Sequence, residues 1–183
     1  MKRILICLAA LGLFAAIPAL AALPVGSKAP MFTATATLGG KTYQYDLAKA
    51  LKKGPVVLYF YPQAFTPGCT IEAHDFAAAI DKYKALGATV IGVSHDPIAK
   101  LKKFSVSECR GKFPVAADTD GHIIKAYDTV LPLGGGRANR TSYVIAPDGT
   151  IVYTYTNLNP ARHVANTLEA VRAWDAKHPR HAK

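Results

Sequence analysis

The stretch YPQAFTPGCTIEA, residues 61–73, places a cysteine where it could act as a nucleophile. An apolar run precedes this stretch and a helical pattern follows it, so Cys69 stands where a buried strand passes into a helix. The first amides of a helix are unpaired and carry the positive end of its dipole, and both stabilise a thiolate. Pro67 and Gly68 shape the turn. Position alone leaves an activated thiol and an inert buried cysteine equally open.

The chain contains three cysteines. Cys7 lies in the apolar N-terminal run, which leaves Cys69 and Cys109 for the folded protein. A cysteine pair in an oxidising compartment is often a structural disulfide. Three interpretations follow: a structural bridge, a redox pair, or two unrelated thiols.

Residues 1–21 have the features of a secretory signal peptide. Lys2 and Arg3 precede a long apolar run, and Ala19-Leu20-Ala21 matches the small-residue pattern of a cleavage site. An uncleaved membrane anchor is the alternative, but Pro18 and the alanine site favour cleavage. We therefore expect a periplasmic or secreted protein, a single domain over residues 22–183 without stable membrane association, and a disordered tail from about residue 176.

The composition excludes several classes of partner and cofactor. Loss of Lys2 and Arg3 lowers the formal charge from +10 to +8, but the remaining basic residues are dispersed, with their densest cluster in residues 177–183. No basic motif interleaved with aromatic residues is present, so we predict no nucleic-acid binding. The six histidines have no paired ligand spacing, and the LGGGR segment does not open a helix after a strand. We predict no metal and no cofactor.

The pattern of apolar residues predicts an α/β fold. Two hairpins carry turn residues, Gly39-Gly40 in the first and Pro147-Asp148-Gly149 in the second. Strands and helices alternate between them, which predicts a mixed central sheet with helices on both faces. The predicted helices cover residues 46–53, 69–87, 97–110 and 161–175, and residues 121–128 are predicted to form a short helix or turn. The strands between the hairpins cover 55–62, 88–94 and 113–118.

Two separated motifs resemble the peroxiredoxins. The spacing Pro62-x-x-x-Thr66-x-x-Cys69 is similar to the peroxidatic-cysteine motif of that family, and FYPQAFTPGCTIEAHDF resembles its Q-type, or bacterioferritin-comigratory, subfamily. Arg140 in NRTSYVIAPDGTIVY stands where the family has its active-site arginine. The resemblance covers roughly residues 24–175 and implies a thioredoxin-like fold with an added N-terminal β-hairpin.

The resemblance implies a thiol peroxidase in which Cys69 attacks a hydroperoxide and becomes a sulfenic acid. Arg140 would stabilise the thiolate and hold the peroxide oxygens, and Thr66 would align the peroxide for attack. Pro62 would shield the thiolate from water.

Gly68 and Glu72 also belong to the predicted site. The backbone amide of Gly68, with that of Cys69, can stabilise developing charge. Glu72, three residues after Cys69, either braces Arg140 in a polar network or lies on a solvated helix face.

In many peroxiredoxins a second cysteine, the resolving cysteine, forms a disulfide with the oxidised peroxidatic cysteine. Its position in this chain departs from the subfamily pattern. Many Q-type members place it five residues after the peroxidatic cysteine, where this chain has His74. Others place it on the next-but-one helix, which is predicted over residues 97–110 and contains Cys109. We therefore hypothesise an intramolecular Cys69–Cys109 disulfide. The rival is a one-cysteine peroxidase whose sulfenic acid is reduced by an outside thiol.

Other classes of function make different demands. A thiol–disulfide oxidoreductase of the thioredoxin kind needs Cys-x-x-Cys, which this chain lacks. A binding module with a structural disulfide would not react with peroxide. The partners that the resemblance implies are a hydroperoxide substrate and a thioredoxin-like or other thiol reductant. The resemblance also implies that this protein is a monomer.

Overall fold

A computed structural model describes residues 22–179. The predicted signal peptide, residues 1–21, and the end of the predicted tail, residues 180–183, lie outside the described residues. The strands are β1 (Thr33–Leu38), β2 (Lys41–Asp46), β3 (Val56–Phe60), β4 (Thr89–Ser94), β5 (Val115–Ala117), β6 (Thr141–Ile145) and β7 (Ile151–Thr156). The α-helices are α1 (Leu47–Leu51), α2 (Pro67–Ala85), α3 (Ile98–Ser107), α4 (His122–Ala126) and α5 (His163–Lys177). The predicted start of the tail falls in the last turn of α5.

The seven strands form one mixed sheet in the order β2-β1-β5-β4-β3-β6-β7. β3, β4 and β5 are parallel, whereas β6 runs antiparallel to β3 and β1 antiparallel to β5. The hairpins β1–β2 and β6–β7 supply the two edges. This arrangement confirms the predicted thioredoxin-like α/β fold with an N-terminal hairpin.

β3 lies in the middle of the sheet because both of its faces are apolar. All five of its residues are buried, as a strand covered on both sides requires. One face packs against α2, α3 and α5, and the other against α1 and α4. The C-terminal end of this strand leads directly into the stretch that contains Cys69.

Local signals explain where several elements begin and turn. The carboxylate of Asp46 accepts a hydrogen bond from the backbone amide of Lys49, so Asp46 caps α1. Gly39 and Gly40 have φ of 54° and 81°, and Gly149 has φ of 82°, so the glycines of both hairpins adopt the backbone that their turns need.

The helix predicted over residues 97–110 is shorter than predicted. α3 ends at Ser107, so Cys109 lies two residues beyond it. The amide of Cys109 donates to the carbonyl of Phe104, five residues back, and Arg110 and Gly111 have φ of 53° and 62°. These left-handed residues turn the chain away from the helix axis. Cys109 therefore lies in a turn beyond the end of α3 and not on the helix itself.

Candidate active site

Cys69 lies in the first turn of α2, as predicted. Thr66 precedes the helix in an extended conformation, with φ −83° and ψ 150°, and Pro67 takes the first helical position. Cys69 is 2% exposed. Its sulfur therefore lies close to the unpaired amides at the start of α2 but is largely shielded from water.

The turn between β3 and α2 is held from the neighbouring strand. Oδ2 of Asp96 accepts hydrogen bonds from the amide of Ala64, at 2.7 Å, and from the hydroxyl of Ser94, at 2.9 Å. Phe65 has φ of 68°, an unusual value for a bulky residue, and its ring packs edge-on against Phe104 at 5.3 Å between centroids. Asp96 thus fixes the backbone that precedes Cys69.

The predicted residues Pro62 and Thr66 belong to this turn. Pro62 lies two residues after the end of β3 and is partly exposed. The hydroxyl of Thr66 donates to the carbonyl of Gln63 at 2.8 Å. This bond leaves the lone pairs of the oxygen available to an incoming donor. The contact of Thr66 with peroxide and the shielding role of Pro62 stay predictions.

Arg140 contacts Cys69 and is itself held on every side. Its Nη2 donates to Sγ of Cys69 at 3.3 Å, and its Nη1 donates to Oε2 of Glu72. Its Nε donates to the carbonyl of Leu158 at 2.8 Å. Arg140 is 4% exposed. Its guanidinium is therefore fixed in one orientation, with one edge directed at the sulfur.

Gly68 makes room for the guanidinium. A Cβ at this position would lie 3.1 Å from Nη2 of Arg140 and 3.8 Å from Cδ of Pro160. The absent side chain lets the cation approach the first turn of α2 closely. Gly68 therefore contributes to the site by its size as well as by its backbone.

Glu72 is a fully buried carboxyl group behind Arg140, so the solvated alternative is wrong. Burial raises its pKa to about 8, although Arg140 acts in the opposite direction. Burial alone would lower the pKa of Arg140, but Glu72 and Cys69 outweigh it and the pKa is raised. The guanidinium thus stays charged between the thiol and the carboxyl group.

His163, at the start of α5, closes the far side of this network. Its Nε2 lies 2.8 Å from the carbonyl oxygen of Asn157, and its Nδ1 lies 2.8 Å from Oγ of Ser142 and 3.6 Å from Oε1 of Glu72. A carbonyl only accepts, so Nε2 carries a hydrogen. Burial and Arg140 lower the pKa of His163 to about 4, despite the bond to Asn157, which favours the charged form. The ring is therefore neutral at physiological pH.

Cys109 is fully buried and its thiol is free, as is that of Cys69. Both cysteines belong to one apolar cluster, which includes Tyr59 and Tyr61. Burial, and to a smaller extent Glu108, raises the pKa of Cys109. Cys109 is thus a protonated thiol on the same face of the sheet as Cys69.

His74, which occupies the position of the resolving cysteine in many Q-type members, points toward Glu108. Its Nε2 lies 2.8 Å from Oε2 of Glu108, the residue before Cys109. His74 therefore connects α2 to the turn that holds Cys109 and is not a merely solvated residue.

Sequence reasoning missed Asp96, Ser142 and His163 as parts of the site. Asp96 has the sequence context of a helix cap, since it directly precedes the helix predicted from residue 97, but its carboxylate reaches across to the turn before α2. His163 and Ser142 carry no local signal, because their burial results from the packing of α5 against β6. Among residues 22–179 no cluster of three or more metal-ligating side chains occurs, and no helix is long and apolar enough to cross a membrane.

Comparison with known proteins gives consistent matches. The sequence profile of the AhpC/TSA family matches residues 25–154. A chloroplastic peroxiredoxin Q of Triticum aestivum is 38% identical over 148 residues, 80% of this chain and 66% of the wheat protein. A peroxiredoxin Bcp of Xanthomonas campestris pv. campestris is 30% identical over 123 residues, 64% of this chain and 76% of the relative.

The fold matches solved structures as well. The crystal structure of peroxidoxin BcpB from Mycobacterium tuberculosis has a TM-score of 0.74 at 29% identity, and the match covers 81% of this chain and 96% of that chain. A structure of peroxiredoxin Q from Xanthomonas campestris has a TM-score of 0.67 at 29% identity, with 76% and 89% covered. This chain spans 66% of the length of the wheat and rice relatives it matches.

Proposed function

The chain belongs to the AhpC/TSA family and, within it, to the Q-type or Bcp peroxiredoxins, and on this premise we propose that it is a thiol-dependent peroxidase of hydrogen peroxide and organic hydroperoxides. One observation carries the proposal. A guanidinium nitrogen lies 3.3 Å from the sulfur of a cysteine in the first turn of a helix. A cation and a helix N-terminus directed at one sulfur both favour its thiolate, the form that attacks peroxides.

The first step oxidises Cys69. The thiolate attacks the terminal oxygen of a hydroperoxide, an S–O bond forms and the O–O bond breaks. Cys69 becomes a sulfenic acid, and the other oxygen leaves as water or an alcohol once it takes a proton. Arg140 has its remaining donors close to the sulfur, where they stabilise the negative charge as it moves to the leaving oxygen.

The second step forms a disulfide with Cys109. The thiol of Cys109 attacks the sulfenic sulfur, an S–S bond forms and water leaves. Both thiols are buried and belong to one cluster, and the turn after α3 must open for the sulfurs to meet in the geometry of a disulfide. A thioredoxin-like or other thiol reductant then restores both thiols.

The export of the protein is a further part of the proposal. The basic start, apolar run and alanine site of residues 1–21 support a cleaved signal peptide and a periplasmic or secreted protein. Fractionation of expressing cells and the N-terminal sequence of the product test this. A product that stays in the cytosol with Met1 retained contradicts export.

The test of the activity uses the reduced protein and about one equivalent of hydrogen peroxide, quenched within seconds. Loss of both thiols with a mass lower by about two daltons supports the two-cysteine mechanism. Loss of one thiol with about sixteen daltons gained supports the one-cysteine rival. Unchanged thiols overturn the proposed activity. Cys69→Ser is the control that must remain unreacted, since it keeps Cys109.

A further inference from the structure

The site buries one cation between two acidic groups. Nη2 of Arg140 faces the sulfur of Cys69, and Nη1 faces Oε2 of Glu72. All three side chains are at least nine-tenths buried. If thiol and carboxyl group were both ionised, the buried site would hold one more negative charge than positive, which is costly without water. One proton shared by the two acidic groups leaves the site neutral.

The other oxygen of Glu72 indicates where that proton resides. Within residues 22–179, Oε1 of Glu72 is buried and has no hydrogen-bond partner. Nδ1 of His163 lies 3.6 Å away. Since Nε2 of this ring donates to Asn157, Nδ1 bears a lone pair, which accepts from the hydroxyl of Ser142 at 2.8 Å. A carboxylate at Oε1 would face this lone pair without a donor, whereas a protonated carboxyl group carries no charge that needs one.

We propose that Cys69 and Glu72 share a single proton across Arg140, and that Glu72 holds it in the reactive state and gives it up during peroxide reduction. The inference rests on the proposed function. His163 is the positioning residue in this scheme, because its neutral ring presents no donor that would stabilise a carboxylate at Oε1.

The proton balance of the peroxide step then closes within the site. Before the reaction the site holds a thiolate, a guanidinium and a neutral carboxyl group. Sulfur attack gives a sulfenic acid and an alkoxide or hydroxide, and the proton of Glu72 neutralises that leaving oxygen as alcohol or water. Afterwards the site holds a neutral sulfenic acid, a guanidinium and a carboxylate. Its net charge is the same before and after.

The surroundings of Glu72 are consistent with this role. Besides Cys69, Arg140 and His163, the ionisable groups that act on it are Asp75 of α2 and Tyr59 of β3. Asp75 is exposed and adds negative charge, which favours a neutral carboxyl group. Burial raises the pKa of Tyr59 well above its ordinary value, so its hydroxyl adds no charge.

The test is an infrared difference spectrum of the full protein at neutral pH, oxidised with hydrogen peroxide minus reduced, with the free thiols counted on the same sample. We expect the carbonyl band of one protonated carboxyl group to disappear on oxidation and to shift in deuterated buffer. Glu72→Gln lacks this change. Glu169→Gln, at an exposed carboxylate of α5, keeps it. Thiol loss without a carboxyl band overturns the shared proton and leaves the proposed function intact.

Two further readouts keep the test decisive. His163→Asn replaces the neutral ring that faces Oε1 of Glu72 and shifts the position of the band in the reduced protein, a change that a purely structural role of Glu72 would not produce. If the thiols do not react, the proposed function fails. The spectrum of the reduced wild type minus reduced Glu72→Gln then still reports whether Glu72 is protonated, and a carboxylate band alone overturns the inference.

Discussion

Nε2 of His74 lies 2.8 Å from Oε2 of Glu108, so a hydrogen-bonded pair joins the helix of Cys69 to the residue that precedes Cys109. The two side chains are 38% and 17% exposed, which places the pair near the protein surface. In the proposed second step the turn after α3 opens so that the sulfurs of Cys69 and Cys109 can meet, and this pair must break when it does. The pair therefore stabilises the reduced conformation against resolution.

Glu108→Gln should accelerate disulfide formation. Partly exposed pairs contribute about 0.2–1 kcal/mol, so we expect a rate up to about fivefold higher after peroxide addition. Quenched-flow samples analysed by intact mass give this rate. His74→Gln should have a similar effect, and Glu169→Gln, remote from the turn, should have none. Equal rates in wild type and Glu108→Gln would mean that the pair does not limit the opening.

Gly68→Ala should slow the reaction with peroxide. The new methyl group would lie 3.1 Å from Nη2 of Arg140, whose guanidinium is tied to Glu72 and Leu158 and cannot easily retreat. A displacement of a few tenths of an ångström weakens the contact with the sulfur, and we expect a rate about tenfold lower, well within the loss that misplacement by about 1 Å causes. Stopped-flow thiol oxidation measures it. An unchanged rate would show that Arg140 moves freely.

Arg140→Lys should lower the peroxidase activity far more than Gly68→Ala does, although the positive charge is kept. A lysine offers one ammonium, which cannot contact the sulfur, Glu72 and the carbonyl of Leu158 together. We expect kcat/KM for hydrogen peroxide to fall by about two to three orders of magnitude, the loss typical of an electrostatic donor at the reacting atoms. Lys177→Arg exchanges the same two residue types at an exposed position away from the site, and this control should leave kcat/KM unchanged. A loss below tenfold contradicts the argument that the fork geometry matters.

The fold and the centre of the site were predictable because their signals are local. The run around β3 contains only apolar residues, and the hairpins carry glycines where their turns need positive φ. Cys69 and Arg140 occur in recognisable motifs. Each of these features is contained within fewer than about twenty consecutive residues, and the order of the elements then brings the two motifs together.

The supporting residues were not predictable because they depend on packing between distant segments. Asp96 has the sequence context of a helix cap, and only the tertiary structure directs it at Ala64. His163 is a polar residue on an amphipathic helix, and its buried ring is paired with Ser142 of β6 and with Asn157, which directly follows β7. The end of α3 was misplaced because Arg110 adopts positive φ without being a glycine.

His163 should make the protein less stable in acid. Its pKa is near 6.5 in an unfolded chain and about 4 when folded, because burial opposes its charged form. The unfolded state therefore binds the proton more readily, so stability is lost as the pH falls from 6.5 toward 4. Each unit of difference corresponds to about 1.4 kcal/mol, which gives a loss of up to about 3 kcal/mol.

His163→Asn isolates this contribution, because asparagine does not titrate. The variant loses the hydrogen bonds of the ring and should be less stable than wild type at pH 7.5. The difference between wild type and His163→Asn in the free energy of unfolding, measured by chemical denaturation, should shrink by about 3 kcal/mol between pH 7.5 and pH 4.5. It shrinks because the folded wild type keeps His163 neutral at a pH where the unfolded chain protonates it. His178→Asn, at an exposed histidine, is the matched control. A difference of equal size at both pH values would mean that folding does not lower the pKa of His163. A difference that widens at pH 4.5 would mean that the folded ring is charged, and the proton would then lie on the histidine rather than on Glu72.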